Sequence, residues 1–144
     1  MKSKLQFLSL PNSIAVLRVG VAGLYMAHAV TRIANGTIQQ FADFMAQLGF
    51  PFSLAIVWAI TVFEIVGGVL FMLNFKTRYI AAGFFAIALG GIVLIHRHLG
   101  WFVGEHGTGG SEYSVCLMLA LLVIAAADLE IDRNAVLLTP KRAS

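Results

Sequence analysis

The sequence has few charged residues, and this shortage excludes an ordinary soluble protein. Only 12% of its 144 residues are Asp, Glu, Lys or Arg, against roughly 25% in an average soluble domain. Hydrophobic residues make up 59% of the chain. A chain of this composition has too little polar surface to stay in water, so we expect an integral membrane protein.

Cysteine is also scarce, since Cys116 is the only one. A single cysteine cannot form an intrachain disulfide or supply the two thiols of a CxxC motif. The four-helix thiol oxidoreductases are therefore excluded. The Lys and Arg residues, which give a net charge of +3, are scattered in loops rather than gathered in a patch with aromatic residues, so we expect no nucleic-acid partner.

Long apolar runs are what the sequence does contain. A membrane-spanning helix needs ~20 mostly apolar residues, and four stretches reach about that length, at residues 14–32, 52–74, 78–97 and 112–129. The short connection between the second and third stretches requires antiparallel neighbours. We predict an all-α integral membrane four-helix antiparallel bundle that forms a single transmembrane domain over residues 1–144.

The first outer loop carries a shorter helical pattern. Apolar residues recur there at helical spacing, at Phe41, Phe44, Met45 and Leu48. Gly49 and Pro51 then supply a stop. We predict a short amphipathic helix that lies along the outer membrane interface.

The distribution of Lys and Arg predicts the orientation. With a cytoplasmic N-terminus, two of these residues lie in outer loops, Arg32 and Arg97, and seven lie on the cytoplasmic side, namely Lys2, Lys4, Lys76, Arg78, Arg133, Lys141 and Arg142. We therefore predict a multi-pass protein of a bacterial-type inner membrane with both termini in the cytoplasm. The first 29 residues also resemble a secretory signal peptide, but Arg18 interrupts the apolar region, so we expect an uncleaved first span.

Charged residues inside the apolar stretches are the first candidates for a site. At ~100° per residue, one face of the first span carries Arg18, Val21, Tyr25, His28 and Arg32. In the second span Glu64 shares a face with Ile60, Thr61, Gly68 and Phe71. An uncompensated charge at mid-bilayer costs roughly 3 kcal/mol, so we predict that Arg18 and Glu64 pair. Such a pair either fixes the helix register or holds a ligand head group and exchanges protons with it.

The outer ends of the spans carry a second polar group. It consists of His28, His96, Arg97, His98, Glu105, His106 and Glu112. Its spacing matches no strong metal motif, and we predict neither a metal site nor a haem. Tyr25, His28 and Glu112 suit hydrogen bonding to a quinone carbonyl at the mouth of an apolar pocket better.

Small residues predict where the helices pack, because they let backbones approach closely in lipid. The third span has Ala82, Ala86 and Gly90 at successive steps of four. The second span has Gly67 and Gly68 directly after Glu64. We expect both groups to lie at helix contacts of a compact bundle.

Four segments together resemble the DoxX family of small four-span membrane proteins. They are LRVGVAGLYMAHAVTRI, FADFMAQLGFP, FEIVGGVLFMLNFKTRYIAA and GGSEYSVCLMLALL. The resemblance covers nearly the whole chain, although Ala29 replaces the Gly that commonly follows the His in relatives. It implies that Arg18, His28, Glu64, Arg78, His96 and Glu112 are the positions that match the family's polar pattern.

The resemblance implies a fold more firmly than a function. The family takes its name from a subunit associated with an archaeal terminal quinol oxidase, and relatives are linked to thiosulfate and quinone redox chemistry and to oxidative-stress complexes. Our first hypothesis is a quinone- or quinol-interacting accessory subunit of a membrane redox complex. Its candidate ligand-binding residues are Arg18, Tyr25, His28, Glu64, His96 and Glu112, and its cofactor is a quinone or quinol.

Two other classes of function remain open at this stage. One is a transporter or binding module for a small molecule or lipid, which would use the same cavity. The other is a structural partner protein without catalysis, in which the polar residues only hold the bundle together. We expect the lipid bilayer, redox-complex subunits and a second copy of the chain as partners.

Overall fold

The structure is a computed structural model, and it describes residues 9–95, 100–102 and 110–138. Within these residues it contains five α-helices and no strand. The helices are α1 (Leu10–Ala34), α2 (Ile38–Gln47), α3 (Ser53–Met72), α4 (Thr77–Leu94) and α5 (Glu112–Leu138). The predicted fold class, all-α with four long apolar helices and a short helix in the first loop, is confirmed.

Four of the helices are long and apolar enough to cross a membrane: α1, α3, α4 and the Glu112–Asn134 part of α5. Large apolar side chains point outward from them, and Val62, Val66, Leu119 and Leu122 are all more than half exposed. A helix that is apolar all round is stable only in a core or in lipid. Two helices exceed the predicted spans, because α1 begins at Leu10 and α5 continues to Leu138.

The contacts divide the chain into two compact units, one formed by Arg18–Phe75 and the other by the rest of the chain. In the Arg18–Phe75 unit, α1 and α3 run antiparallel. Arg32 near the end of α1 bonds to Glu64 of α3, and Arg18 near its start bonds to Asn74 just after α3. Val21, Ala22, Tyr25 and Ala29 form the buried face of α1, and Val57, Thr61, Glu64, Gly67, Gly68 and Phe71 form that of α3.

Gly68 allows α1 and α3 to approach each other. A Cβ added at Gly68 would overlap the Met26 side chain, lying 2.8 Å from its sulfur and 3.6 Å from the Ala22 carbonyl oxygen. The prediction of a helix contact is therefore confirmed for Gly68, and Gly67 beside it is buried.

Helix α2 packs on α3 within the same unit. It buries Ala42 and Met45, and it lies between two glycines with positive φ, Gly36 at 66° and Gly49 at 88°. The expected short helix is thus confirmed, but its buried face differs from the predicted one, because Leu48 is exposed and Ala42 is buried. Its place at the membrane interface stays a prediction.

In the other unit α4 and α5 pack against each other. Arg78 at the start of α4 bonds to Asp132 near the end of α5, so the two helices run antiparallel. The core contains Ile80, Ala81, Phe84 and Ala88 of α4 with Leu117, Leu121 and Ile124 of α5. The predicted packing stripe of the third span is wrong, because Ala82 and Ala86 are exposed and a Cβ at Gly90 would meet nothing within 4 Å.

Two backbone hydrogen bonds join the described ends of the loop between α4 and α5. The Ser111 amide donates to the Gly100 carbonyl over 3.2 Å, and the Glu112 amide donates to the Trp101 carbonyl over 3.0 Å. Gly110 fits this contact because a Cβ there would lie 2.6 Å from the Phe102 carbonyl oxygen. These bonds position Glu112 at the first turn of α5.

Candidate functional site

Among the residues that the structure describes, the most deeply buried charge is the carboxylate of Glu64, in the middle of α3. Only 2% of this residue is exposed. Arg32, in the last turn of α1, donates a hydrogen bond from Nη1 to Glu64 Oε2 over 2.9 Å, and its side chain is 16% exposed. The carboxylate of this ion pair is therefore enclosed by protein, whereas the arginine side chain is partly accessible.

Thr61 extends this pair by one turn along α3. Its hydroxyl oxygen accepts a second hydrogen bond from Arg32 Nη1 over 2.7 Å, and its hydroxyl donates to the Val57 carbonyl over 2.8 Å. Residues three apart share one face of a helix. Because Thr61 and Glu64 are neighbours in this way, one guanidinium nitrogen bonds to both.

An aromatic ring from α2 lies beside the arginine. The guanidinium carbon of Arg32 is 5.3 Å from the centroid of the Phe41 ring, a distance at which a cation is attracted to the face of an aromatic ring. The Thr37 hydroxyl also donates to the Arg32 carbonyl over 3.3 Å. We call Arg32, Phe41, Thr61 and Glu64 the Arg32–Glu64 cluster.

The prediction that Arg18 pairs with Glu64 is wrong. Arg18 Nη1 donates instead to the side-chain oxygen of Asn74, just after the end of α3; that end lies about 12 Å along the helix from Glu64 at a rise of 1.5 Å per residue. Helical side chains lean toward the N-terminus of their own helix. Arg18 therefore leans away from Glu64, whereas Arg32, which lies beyond Glu64 on α1, leans toward it.

The other predicted ligand-binding residues are Tyr25, His28, Glu112 and His96. Tyr25 is buried on α1, and His28 is exposed but close enough to Glu64 for an electrostatic interaction. Glu112 is half-buried at the first turn of α5, in the other unit. His96 lies outside the described residues, as do Arg97, His98, Glu105 and His106.

Sequence reasoning missed Arg32 and Thr61 as members of the site. The sequence counts Arg32 among the loop charges that set orientation, although it lies on the same face as His28, four residues earlier. Helical spacing puts Thr61 on the Glu64 face but does not by itself indicate a role for its hydroxyl. Both residues lie one helical turn from another polar residue on the same face. Arg32 follows His28 on α1 by four residues, and Thr61 precedes Glu64 on α3 by three.

The cluster offers hydrogen-bond donors, a carboxylate and an aromatic ring at one place. Arg32 carries five N–H donors, and the hydrogen bonds that its side chain makes within the described residues use Nη1 alone. Among those residues no group of three His, Cys, Asp or Glu side chains is arranged to hold a metal ion. The geometry suits a small polar group with an acceptor oxygen at the edge of an apolar region.

Four candidate spans together with a charge pair buried between two of them define a multi-pass membrane protein. The model of the DoxX family matches residues 13–97, which is more than half of the chain, and the protein belongs to the DoxX family. The matched range includes the whole Arg32–Glu64 cluster. No curated protein and no solved structure matches the chain.

Proposed function

We propose that this DoxX protein interacts with a quinone or quinol as an accessory subunit of a membrane redox complex, and that the Arg32–Glu64 cluster receives the quinone head group. The observation that carries the proposal is a buried carboxylate paired with an arginine that is still reachable. Both lie in helices whose other surfaces are apolar.

A quinone carbonyl needs a hydrogen-bond donor in an environment that its ring and tail can enter. Arg32 supplies donors beyond Nη1, and its partial exposure leaves room for an approaching oxygen. The Phe41 ring beside the guanidinium offers a flat apolar surface for the quinone ring. An isoprenoid tail would then lie along the apolar helix surfaces or in lipid.

Reduction of a quinone to a quinol takes two electrons and two protons. The Glu64 carboxylate would first take up a proton and would then pass it to a carbonyl oxygen held by Arg32. His28 lies four residues before Arg32 on α1, is exposed, and interacts electrostatically with Glu64. His28 would carry protons between Glu64 and the protein surface. The electrons would come from a partner subunit of the complex.

The charge distribution supports the placement of the protein in the proposal. An excess of Lys and Arg in the turn between α3 and α4 and near the termini favours an inner-membrane protein with both termini in the cytoplasm. In this orientation Arg32 lies toward the outer side of the membrane.

The test is direct binding of a quinone analogue to the purified protein in a reconstituted bilayer. We expect saturable binding of micromolar or better affinity. Arg32→Gln should weaken it by roughly tenfold or more, because a hydrogen bond to a charged group contributes about 1.5–3 kcal/mol. Glu64→Gln and Thr61→Val should weaken it as well.

The matched control is Thr77→Val, which removes the hydroxyl of a threonine that is as deeply buried as Thr61 but lies on α4. It should leave binding unchanged. Circular dichroism and thermal unfolding show whether each variant is folded. Absence of saturable binding by the folded wild-type protein would exclude the proposal.

One observation favours a second candidate, a structural partner protein without catalysis. Arg32 Nη1 bonds to both Thr61 and Glu64 and so links α1 to α3, as expected of a pair that fixes helix register. In that case the variants would lower stability, and no quinone analogue would bind at any concentration that leaves the bilayer intact.

A further inference from the structure

The turn between α2 and α3 exposes large apolar side chains. Leu48 and Phe50 are exposed, and Phe52 is 85% exposed. We call these three residues the apolar turn. The backbone of Phe52 has a φ of 54°, in the left-handed region that bulky residues rarely adopt. Such a conformation persists only where the surrounding structure holds it, so the fold fixes the backbone that presents this ring.

Helix α2 itself uses its apolar face within the protein. It packs on α3 and buries Ala42 and Met45. Its opposite side is polar and exposed, with Gln39, Gln40, Asp43 and Gln47. The apolar surface that stays exposed in this region is therefore the turn that follows α2.

The length of α3 places the apolar turn at the boundary of the bilayer. Ser53–Met72 contains 20 residues, which corresponds to about 30 Å at 1.5 Å per residue. The hydrocarbon core of a bilayer is also about 30 Å thick. Phe52 directly precedes this helix, so it lies where the hydrocarbon meets the head groups.

The exposed apolar surface continues from the turn along α3. Four side chains at steps of four along the helix are exposed, namely Leu54, Trp58, Val62 and Val66. In a membrane-spanning helix such a row of side chains faces lipid. No charged residue occurs between Asp43 and Glu64, so this stretch carries no charge that would need water.

We propose that the apolar turn inserts into the adjacent leaflet of the bilayer and anchors α2 at the membrane surface. The Phe50 and Phe52 rings then lie at the boundary between acyl chains and head groups, and the polar side of α2 faces water. The partner is lipid hydrocarbon, because the surface is continuous with the lipid-facing side of α3 and has no charge with which to select a head group. This contact does not depend on the proposed quinone function.

The experiment measures the depth of single tryptophans in the full-length protein in phosphatidylcholine vesicles. Trp58→Phe and Trp101→Phe remove both native tryptophans, and Phe52→Trp then places an indole in the apolar turn. Bromine atoms on the acyl chains quench an indole in the hydrocarbon, and aqueous iodide quenches an indole in water. We expect brominated lipid to remove roughly half or more of the Phe52→Trp emission, and iodide to remove little, as for an aromatic ring at the membrane interface.

The matched control is Gln40→Trp in the same background, because Gln40 is exposed on the polar side of α2. We expect iodide rather than brominated lipid to quench it. The Trp101→Phe variant, which keeps Trp58, is the reference for a lipid-facing position on α3. Circular dichroism shows whether each variant is folded.

Two results would overturn the proposal. If iodide quenches Phe52→Trp as strongly as Gln40→Trp, the apolar turn lies in water. If neither quencher reaches Phe52→Trp while brominated lipid quenches Trp58, protein covers the turn, and its partner is then a second copy of the chain or another subunit.

Discussion

At the scale of single residues, the Arg32–Glu64 pair joins the end of one helix to the middle of another. Glu64 would be costly in the membrane alone, because an unpaired carboxylate in hydrocarbon has no partner for its charge. The long side chain of Arg32 reaches it from the last turn of α1 while part of the guanidinium stays accessible. The buried carboxylate is therefore compensated by a cation that is not itself fully buried.

Removal of one member of this pair should cost more than removal of both. We expect Glu64→Ala to lower the free energy of unfolding in detergent by about 3 kcal/mol, the low end of the range for a broken buried pair, because Arg32 is partly exposed. The double variant Arg32→Ala/Glu64→Ala should lose less than the sum of the two single changes. Chemical denaturation of the four proteins measures this coupling.

Arg18 provides the control for that cycle. Since it bonds to Asn74 rather than to Glu64, the losses from Arg18→Ala and Glu64→Ala should add within about 0.5 kcal/mol. Additive losses for Arg32 and Glu64, or strong coupling of Arg18 with Glu64, would contradict the assigned pairing.

At the scale of helices, the contact between α1 and α3 depends on the missing side chain at Gly68. Met26 occupies the space that a Cβ would need, and the Ala22 carbonyl lies just behind it. This contact lies between Arg18–Asn74 at one end and Arg32–Glu64 at the other. It therefore helps to set the register in which both arginines find their partners.

We predict that Gly68→Leu lowers stability by about 1–3 kcal/mol, the usual cost of overpacking a tight contact. Gly90→Leu is the matched control, because a Cβ at Gly90 meets nothing within 4 Å, and it should change stability by no more than about 0.5 kcal/mol. Thermal unfolding in the same detergent compares them. Equal losses at the two glycines would show that Gly68 is not a packing position.

At the scale of the whole molecule, the charge distribution predicts the topology. In a Cys116→Ser background, we expect Ser3→Cys and Ser144→Cys to be protected from a membrane-impermeant maleimide in intact spheroplasts and to react after permeabilisation. Asn35→Cys, in the exposed turn between α1 and α2, should react in intact spheroplasts. Labelling of either terminus before permeabilisation would reverse the predicted orientation.

The sequence by itself determined the elements and the inward face of α3. Apolar runs of membrane length located all four long helices, because hydropathy and length are properties of the chain alone. Helical periodicity placed Ile60, Thr61, Glu64, Gly68 and Phe71 together; Ile60 is half-buried, and the other four are buried. The same periodicity located α2 within the first loop.

Only the tertiary structure decided which residues meet. The sequence offered two arginines on one face of α1, and the register of α1 against α3, together with the lean of the side chains, assigned Arg32 to Glu64 and Arg18 to Asn74. Likewise the stripe of Ala82, Ala86 and Gly90 resembled a packing face, yet α4 buries Ile80, Ala81 and Phe84 instead. The composition of a segment determines that it forms an apolar helix. Which of its residues contact a neighbouring helix depends on how the two helices are rotated and shifted along their axes. Small shifts along the axis, of 1.5 Å per residue, change every contact.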